Sequence, residues 1–368
     1  MHIICKRDNL LKGFQSVSKA VSSRALLPVL SNVLFEVKES KLFLKATDLE
    51  IGIETLVETE VLKEGSVTIP AVALQNILPK LPDYDVELKT NQDNSETTLK
   101  CFKSEFKLNS IPSDDFPKLP QIDENNSFFI NSELLTTAIK KTIFSASTDT
   151  SKNILNGVRM VINSGNLEMA ATDGYRLAVK KMFIESSGNQ NLSATLPSKA
   201  MNELVKLISS SKDDTVSISQ LSNQLVFKVN DKILSTRVIE GQYPDYNRII
   251  PTNLDKHLIV DRIEFLSSID RVSSISSEKI NVVKMEISSN KVNISSSSSE
   301  LGKSSEELTI EYEGENLDIN FNAKFLIEAL KNFDDDKVKI LMRETLTPCI
   351  IKPLEDESYF CMIMPLRS

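Results

Sequence analysis

The sequence predicts an α+β protein made of three tandem copies of one domain. A block of 18 residues recurs in constant register at 30–47 (LSNVLFEVKESKLFLKAT), 155–172 (LNGVRMVINSGNLEMAAT) and 280–297 (INVVKMEISSNKVNISSS), each copy 125 residues after the last. Within each copy apolar residues alternate on both sides of a polar turn, the pattern of a β-hairpin. The matching positions are Val33, Val158 and Val283; Phe35, Met160 and Met285; Val37, Ile162 and Ile287; Leu42, Leu167 and Val292. A period of 125 is far too long for a solenoid unit, so each copy marks a whole domain. A chain of 368 residues has room for three such domains, each large enough to bury a core without metals or disulfides.

Taken in order, each copy opens with an amphipathic helix, at about 8–21, 132–145 and 260–273. In the first, Leu10, Phe14, Val17 and Val21 share one face, and Asp8 is the expected N-cap. The hairpin follows, and then a second helix at about 71–80, 197–210 and 322–333. Pro197 with Ser198, and Asn322, are start signals for the last two. Strands and a proline close each copy, in FKLNSIPSDDFPKLP (106–120), LSTRVIEGQYPDYNRIIP (234–251) and the terminal YFCMIMPLRS. The serine run at 295–299 occupies a strand position in the repeat and is read as strand, giving about eight short strands per copy. The domains then span 1–122, 128–251 and 255–368, joined by linkers at Gln121–Ser127 and Pro251–Lys256.

Composition excludes several chemistries. The four cysteines, Cys5, Cys101, Cys349 and Cys361, form no CxxC pair and are expected as buried, reduced thiols of a cytoplasmic protein. His2 and His257 are the only histidines, too few for a zinc site or a Ser/His/Asp triad of ordinary kind. The opening MHIICKRDNLL lacks a signal-peptide core, and no stretch has membrane-spanning length. Phosphate-binding, metalloprotease and hydrolase motifs are absent. Asp114–Asp115 and Asp334–Asp336 are candidate metal carboxylates, yet neither recurs in the other copies, so solvated turns are expected. No cofactor is implied, and the chain reads as a binding or scaffolding protein.

The net charge of −8 argues against tight nucleic-acid binding by a basic surface. One pattern opposes that. Lys12 and Lys19, Lys199 and Lys206, and Lys324 and Lys331 each stand seven residues apart, which places each pair on one helix face. Gln15, Ser16 and Asn202 are neutral neighbours, while Glu203 and Glu328 dilute the charge. The most basic segment carries Lys6, Arg7, Lys12, Lys19 and Arg24 against Asp8. One pair per copy suits weak, non-specific phosphate contact.

LLPVLSNVLFEV at 26–37, ATDLEIGIE at 46–54, ATDGYRLAV at 171–179, EGQYPDYNRIIP at 240–251 and the terminal MPLR at 364–367 resemble, in that order, the bacterial DNA sliding clamps. These are the beta subunits of the DNA polymerase III holoenzyme. The resemblance covers the full chain and implies half of a closed ring, in which two chains meet head to tail with helices inside and antiparallel sheets outside. It implies a processivity factor, not an enzyme, that encircles duplex DNA topologically. The partners it implies are the replicative polymerase, the clamp loader, and other polymerases and repair proteins, each inserting a short motif with leucine and aromatic anchors.

The implied pocket is lined by Leu155, Thr172, Gly174, Tyr175, Arg176, Leu177, Pro244, Arg248 and Ile249, with Pro348, Met362, Met364, Pro365, Leu366 and Arg367 from the third domain. Two adaptable methionines suit such a socket, and Arg176, Arg248 and Arg367 are expected around its rim. The lysine pairs and Arg24 would face DNA, and Phe106 and Leu108 would meet Ile275 of a second chain. The third copy departs from the pattern, with Ser297 and Ser298 in place of the ATD motif. The alternative is a metal-dependent nucleic-acid-processing enzyme or regulatory module on a clamp-like fold, with Asp334–Asp336 as metal ligands; nuclease activity would separate the two.

Overall fold

The computed structural model describes residues 1–22, 27–149, 151–185, 191–211, 213–276 and 281–367. Among the described residues six α-helices carry the labels α1 (Arg7–Val17), α2 (Ala71–Ile77), α3 (Ser132–Ile143), α4 (Ser198–Ser209), α5 (Arg262–Ser273) and α6 (Ala323–Leu330). They are the six that the sequence predicts. Among the described residues no helix is long and apolar enough to cross a membrane.

Alternation in the repeated block becomes the same hairpin three times. Asn32–Lys38 pairs with Lys41–Thr47, Gly157–Asn163 with Asn166–Thr172, and Val282–Ser288 with Lys291–Ser298. The innermost apolar rung is Val37–Leu42, Ile162–Leu167 and Ile287–Val292, and all six side chains are buried. The serine run is strand as far as Ser298, as expected, because its neighbours Val292 and Ile294 already fix which face points inward, and Ser299 begins the turn. Helix faces follow the 3.6-residue period: Leu10, Phe14 and Val17 of α1, and Phe265, Ile269 and Val272 of α5, are all buried. Truncating a buried phenylalanine such as Phe265 costs about 3–5 kcal/mol.

Several helix starts and ends differ from expectation, and α6 stops at Leu330, three residues early. The N-cap of α1 is Lys6, with no side-chain cap bond, and Asp8 lies in the first turn beside Arg7 at 3.2 Å. There it favours the helix through the dipole instead of a hydrogen bond. α1 ends at Val17 and α2 at Ile77, and a 3₁₀ turn continues each, over Ser18–Ala20 and Leu78–Lys80. Asn322 does cap α6, its Oδ1 accepting the Lys324 N–H at 3.0 Å.

The chain forms two compact units, residues 1–132 with 202–238 and residues 133–201 with 239–368. They cut through the middle repeat because continuous sheets join neighbouring repeats. In the first unit an antiparallel sheet of eight strands runs Ser127–Asn131, Thr215–Leu221, Gln224–Val229, Lys232–Arg237, Ile51–Val57, Lys41–Thr47, Asn32–Lys38 and Gly65–Pro70. Its five-stranded companion runs Glu60–Lys63, His2–Lys6, Asp85–Thr90, Glu96–Cys101 and Ser104–Asn109. In the second unit a nine-stranded sheet runs Asn191–Pro197, Gly157–Asn163, Asn166–Thr172, Arg176–Phe183, Tyr359–Ile363, Cys349–Lys352, Lys337–Met342, Lys256–Asp261 and Glu311–Glu313. Its companion has four strands, Gly302–Thr309, Lys291–Ser298, Val282–Ser288 and Leu317–Asn322.

One pairing rule joins the repeats. The strand after the hairpin in one copy pairs antiparallel with the last strand of the next, so Ile53 faces Leu234 and Ala178 faces Cys361. In the third copy the corresponding strand is Gly302–Thr309, and in the first copy the corresponding last strand is Ser104–Asn109. Each is the outermost strand of its sheet.

Candidate functional site

The second unit brings together most of the residues expected of the pocket, around the turn between Asn166–Thr172 and Arg176–Phe183. Asp173 Oδ1 accepts the N–H groups of Tyr175 and Arg176 at 2.9 and 3.0 Å. Thr172 Oγ1 accepts the Gly174 N–H at 3.0 Å and donates to the Arg176 carbonyl at 2.6 Å. Gly174 has φ +93°, a conformation that a side chain would strain. The same turn occurs in each copy: Asp48 Oδ1 accepts from Glu50 and Ile51, and Ser298 Oγ accepts from Glu300 and Leu301. Serine in the third copy therefore keeps the bonding role of the aspartate.

Beneath this turn lies an apolar floor of Ala170, Leu177, Val179, Tyr243, Tyr246 and Met362, with Leu155, Ile154, Ile250 and Phe360 packed against it. Leu177 and Met362 are cross-strand partners, both buried. The Tyr243 hydroxyl accepts the Thr172 N–H at 3.1 Å, and Tyr246 donates to Glu168. Burial pushes both phenols well above their ordinary pKa, so they stay protonated. The C-terminal tail crosses the same place: Met364 N–H donates to the Tyr175 carbonyl and Leu366 N–H to that of Asn320, each at 2.8 Å.

Three apolar side chains stand open to solvent above the floor, Tyr175 (58% exposed), Ile249 (54%) and Met364 (36%). Pro365 and Leu366 are half-buried, while Pro244 and Arg367 are exposed. Pro348 is half-buried and precedes Cys349, whose strand partner is Ile363, so it stands at the level of Met364. Arg248 is exposed and paired with Asp245 at 2.9 Å.

Arg176 is not at the rim. It is 8% exposed, donates to Asp173 at 3.0 Å and to Glu328, and its guanidinium lies over the rings of Phe325 (4.6 Å) and Phe144 (5.6 Å). A guanidinium so enclosed, paired with two carboxylates and packed between two rings, acts as an internal strut. Met362 is likewise floor, which leaves Met364 as the adaptable methionine at the surface.

Sequence reasoning missed Tyr243, Tyr246, Phe144, Phe325, Glu328 and Lys152. The two tyrosines sat inside the motif at 240–251 and could have been found there. Lys152 lies over the Tyr175 ring at 5.2 Å and donates to the Asp173 carbonyl at 3.2 Å, and nothing local announces it.

The arrangement sets exposed apolar side chains beside a buried apolar cluster. Over an alignment of 378 residues the chain is 34% identical to the beta sliding clamp of Staphylococcus epidermidis and 35% identical to that of Staphylococcus aureus, covering all of both proteins in each case. The chain belongs to the bacterial beta sliding clamp family. Residues 1–120, 129–245 and 247–367 match the N-terminal, central and C-terminal domains of the DNA polymerase III beta subunit. The solved DNA polymerase sliding clamp of Bacillus subtilis superposes with a TM-score of 0.95 at 31% identity, covering 100% of this chain and 99% of that one. The Thermotoga maritima beta subunit gives 0.92 at 29%, with the same coverage.

Sliding clamps are processivity factors and not enzymes, which removes the metal-dependent alternative. Asp334 is engaged by Lys141 at 2.6 Å, and Asp114 and Asp115 are exposed. Other expected clamp residues are placed as follows. Lys12, Lys19, Lys199, Lys206, Lys324 and Lys331 are all exposed, though Lys19 sits in the 3₁₀ turn after α1 and Lys331 just past α6. Lys206 pairs with Glu203 at 2.7 Å. Arg24 lies outside the described residues. Phe106 and Leu108 are half-buried on the outermost strand Ser104–Asn109, and Ile275 is half-buried just after α5.

Proposed function

We propose that two copies of this chain close head to tail into a ring around duplex DNA and tether polymerases through the pocket at Tyr175, Ile249 and Met364. The observation that carries the ring is the pairing rule between repeats. It is satisfied between the first and second copies and between the second and third, and it leaves Gly302–Thr309 and Ser104–Asn109 as sheet edges. Unpaired edges of this length invite strand addition. A second copy supplies the matching edge at both ends, and the interface then closes on itself. Three domains, with boundaries near residues 122–128 and 251–255, would repeat around that ring. The exposed lysines of α1, α4 and α6 would face the DNA. Such a protein works in the cytoplasm, where the chromosome is replicated.

The rule also gives a register for the seam. Gly52 stands opposite Ser235 in the first junction, and the equivalent positions are Lys303, which a longer turn in the third copy shifts by one, and Lys107. Opposed residues in an antiparallel pair lie about 4.5–5.5 Å apart at Cα, within disulfide range. A Lys107→Cys, Lys303→Cys variant should therefore oxidise to a covalent species of twice the chain mass, and neither single variant should. A protein that is monomeric at micromolar concentration, with no cross-link, would refute the ring.

The pocket reading is supported by the open apolar rim above a buried floor. Its occupant would be a short peptide with leucine and aromatic anchors, carried by the polymerase, the clamp loader or a repair protein.

A further inference from the structure

Glu328 of α6 touches two cations at once. Oε2 accepts from the buried Arg176 guanidinium, and Oε1 lies 3.9 Å from Lys324 Nζ. Lys324 is 64% exposed and Glu328 is 31% exposed, so the carboxylate forms a link between the interior and the helix surface. On the interior side Arg176 also holds Asp173 at 3.0 Å, and Asp173 holds the turn that carries Tyr175. The Tyr175 carbonyl in turn anchors Met364, the methionine at the pocket rim. Every group in this chain of contacts lies in the second unit, and each step is a hydrogen bond or ion pair between named atoms.

We infer that Glu328 couples the peptide pocket to the DNA-facing surface. The inference rests on the functional reading above. With Lys324 nearby, the carboxylate is shared between two positive charges. A DNA phosphate that takes up Lys324 leaves Glu328 wholly to Arg176, which pins the guanidinium and, through Asp173, the turn at Tyr175. The rim is then held in place before the peptide arrives, and less ordering is left to oppose binding. Peptide should bind more tightly to the DNA-loaded protein, and by linkage DNA should bind more tightly to the peptide-loaded protein by the same factor. An exposed pair of this kind supports a coupling of about twofold. Glu328 is thus a positioning residue, acting on the pocket through Arg176.

The test measures affinity of a polymerase-motif peptide by calorimetry, with and without saturating short duplex at low salt, for the full-length parent, Glu328→Gln and Lys324→Gln. The parent should gain about twofold on DNA loading. Glu328→Gln should weaken peptide binding about fivefold, since a charged hydrogen bond becomes a neutral one, and should bind duplex more tightly because a carboxylate beside Lys324 is gone. Lys324→Gln, an exposed change that leaves the fold alone, should bind peptide slightly better than the parent in the absence of DNA and gain nothing from it. If Lys324→Gln keeps the parent's gain, or if the parent binds both ligands with no gain, the coupling is wrong and the functional reading stands. If the parent binds neither peptide nor duplex, the functional reading itself fails.

Discussion

Asp173 shapes the rim with two backbone hydrogen bonds, and its counterpart Ser298 keeps the same bonds with a hydroxyl. Asp173 also receives Arg176 Nε at 3.0 Å. That pairing decides the outcome of substitution. Arg176→Ala strands Asp173 and Glu328 without their shared cation, so it should cost about 3 kcal/mol of stability and lower the melting temperature measurably by calorimetry. Loss at the rim is different in kind. Met364→Ala removes an apolar contact from a partly exposed side chain and should weaken a motif peptide by about 2 kcal/mol, roughly thirtyfold, with the melting temperature unchanged. The cysteines give a third check. Burial pushes Cys5, Cys349 and Cys361 up to about 12 and raises Cys101, so none should react with a thiol reagent at about pH 8 until the chain is unfolded.

Among the elements, the C-terminal tail is the one whose removal should be most selective. Residues 364–367 follow the strand Tyr359–Ile363 and contribute two hydrogen bonds, to Tyr175 and Asn320, but no strand rung. Deleting Met364–Ser368 should abolish peptide binding in calorimetry and leave the particle mass by light scattering as in the parent. Substituting Lys12 or Lys199 should give the reverse result, with normal peptide affinity and weaker DNA contact. Helix ends were less legible than helix middles. The buried face of α1 follows from the spacing of Leu10, Phe14 and Val17, whereas its passage into a 3₁₀ turn at Ser18 leaves no mark in the periodicity.

For the whole molecule, a net charge of −8 gives the proposed DNA contact no broadly basic surface to rest on. Direct affinity for linear duplex should be weak and fall steeply with salt. Protein loaded on a nicked circle should instead survive high salt until the circle is cut. Equal retention on linear and circular DNA would contradict encirclement.

Period and alternation determined the local structure: three hairpins, six helices and the inward face of the first, because these depend on neighbours within a few residues. The turn at Thr172–Arg176 is equally local, since Asp173 bonds to residues two and three places on, although its segment stood out in the sequence only as a family motif. Tertiary structure alone decided the rest. Whether Arg176 faces a ligand or the interior is set by Glu328, 152 residues away in the chain. Which strands meet at the junctions is set by Ile53 reaching Leu234 and Ala178 reaching Cys361, pairings that no local pattern encodes. A strand's alternation says which side is buried, but its backbone groups will pair with any edge of suitable register, so the partner is chosen by the packing of the whole.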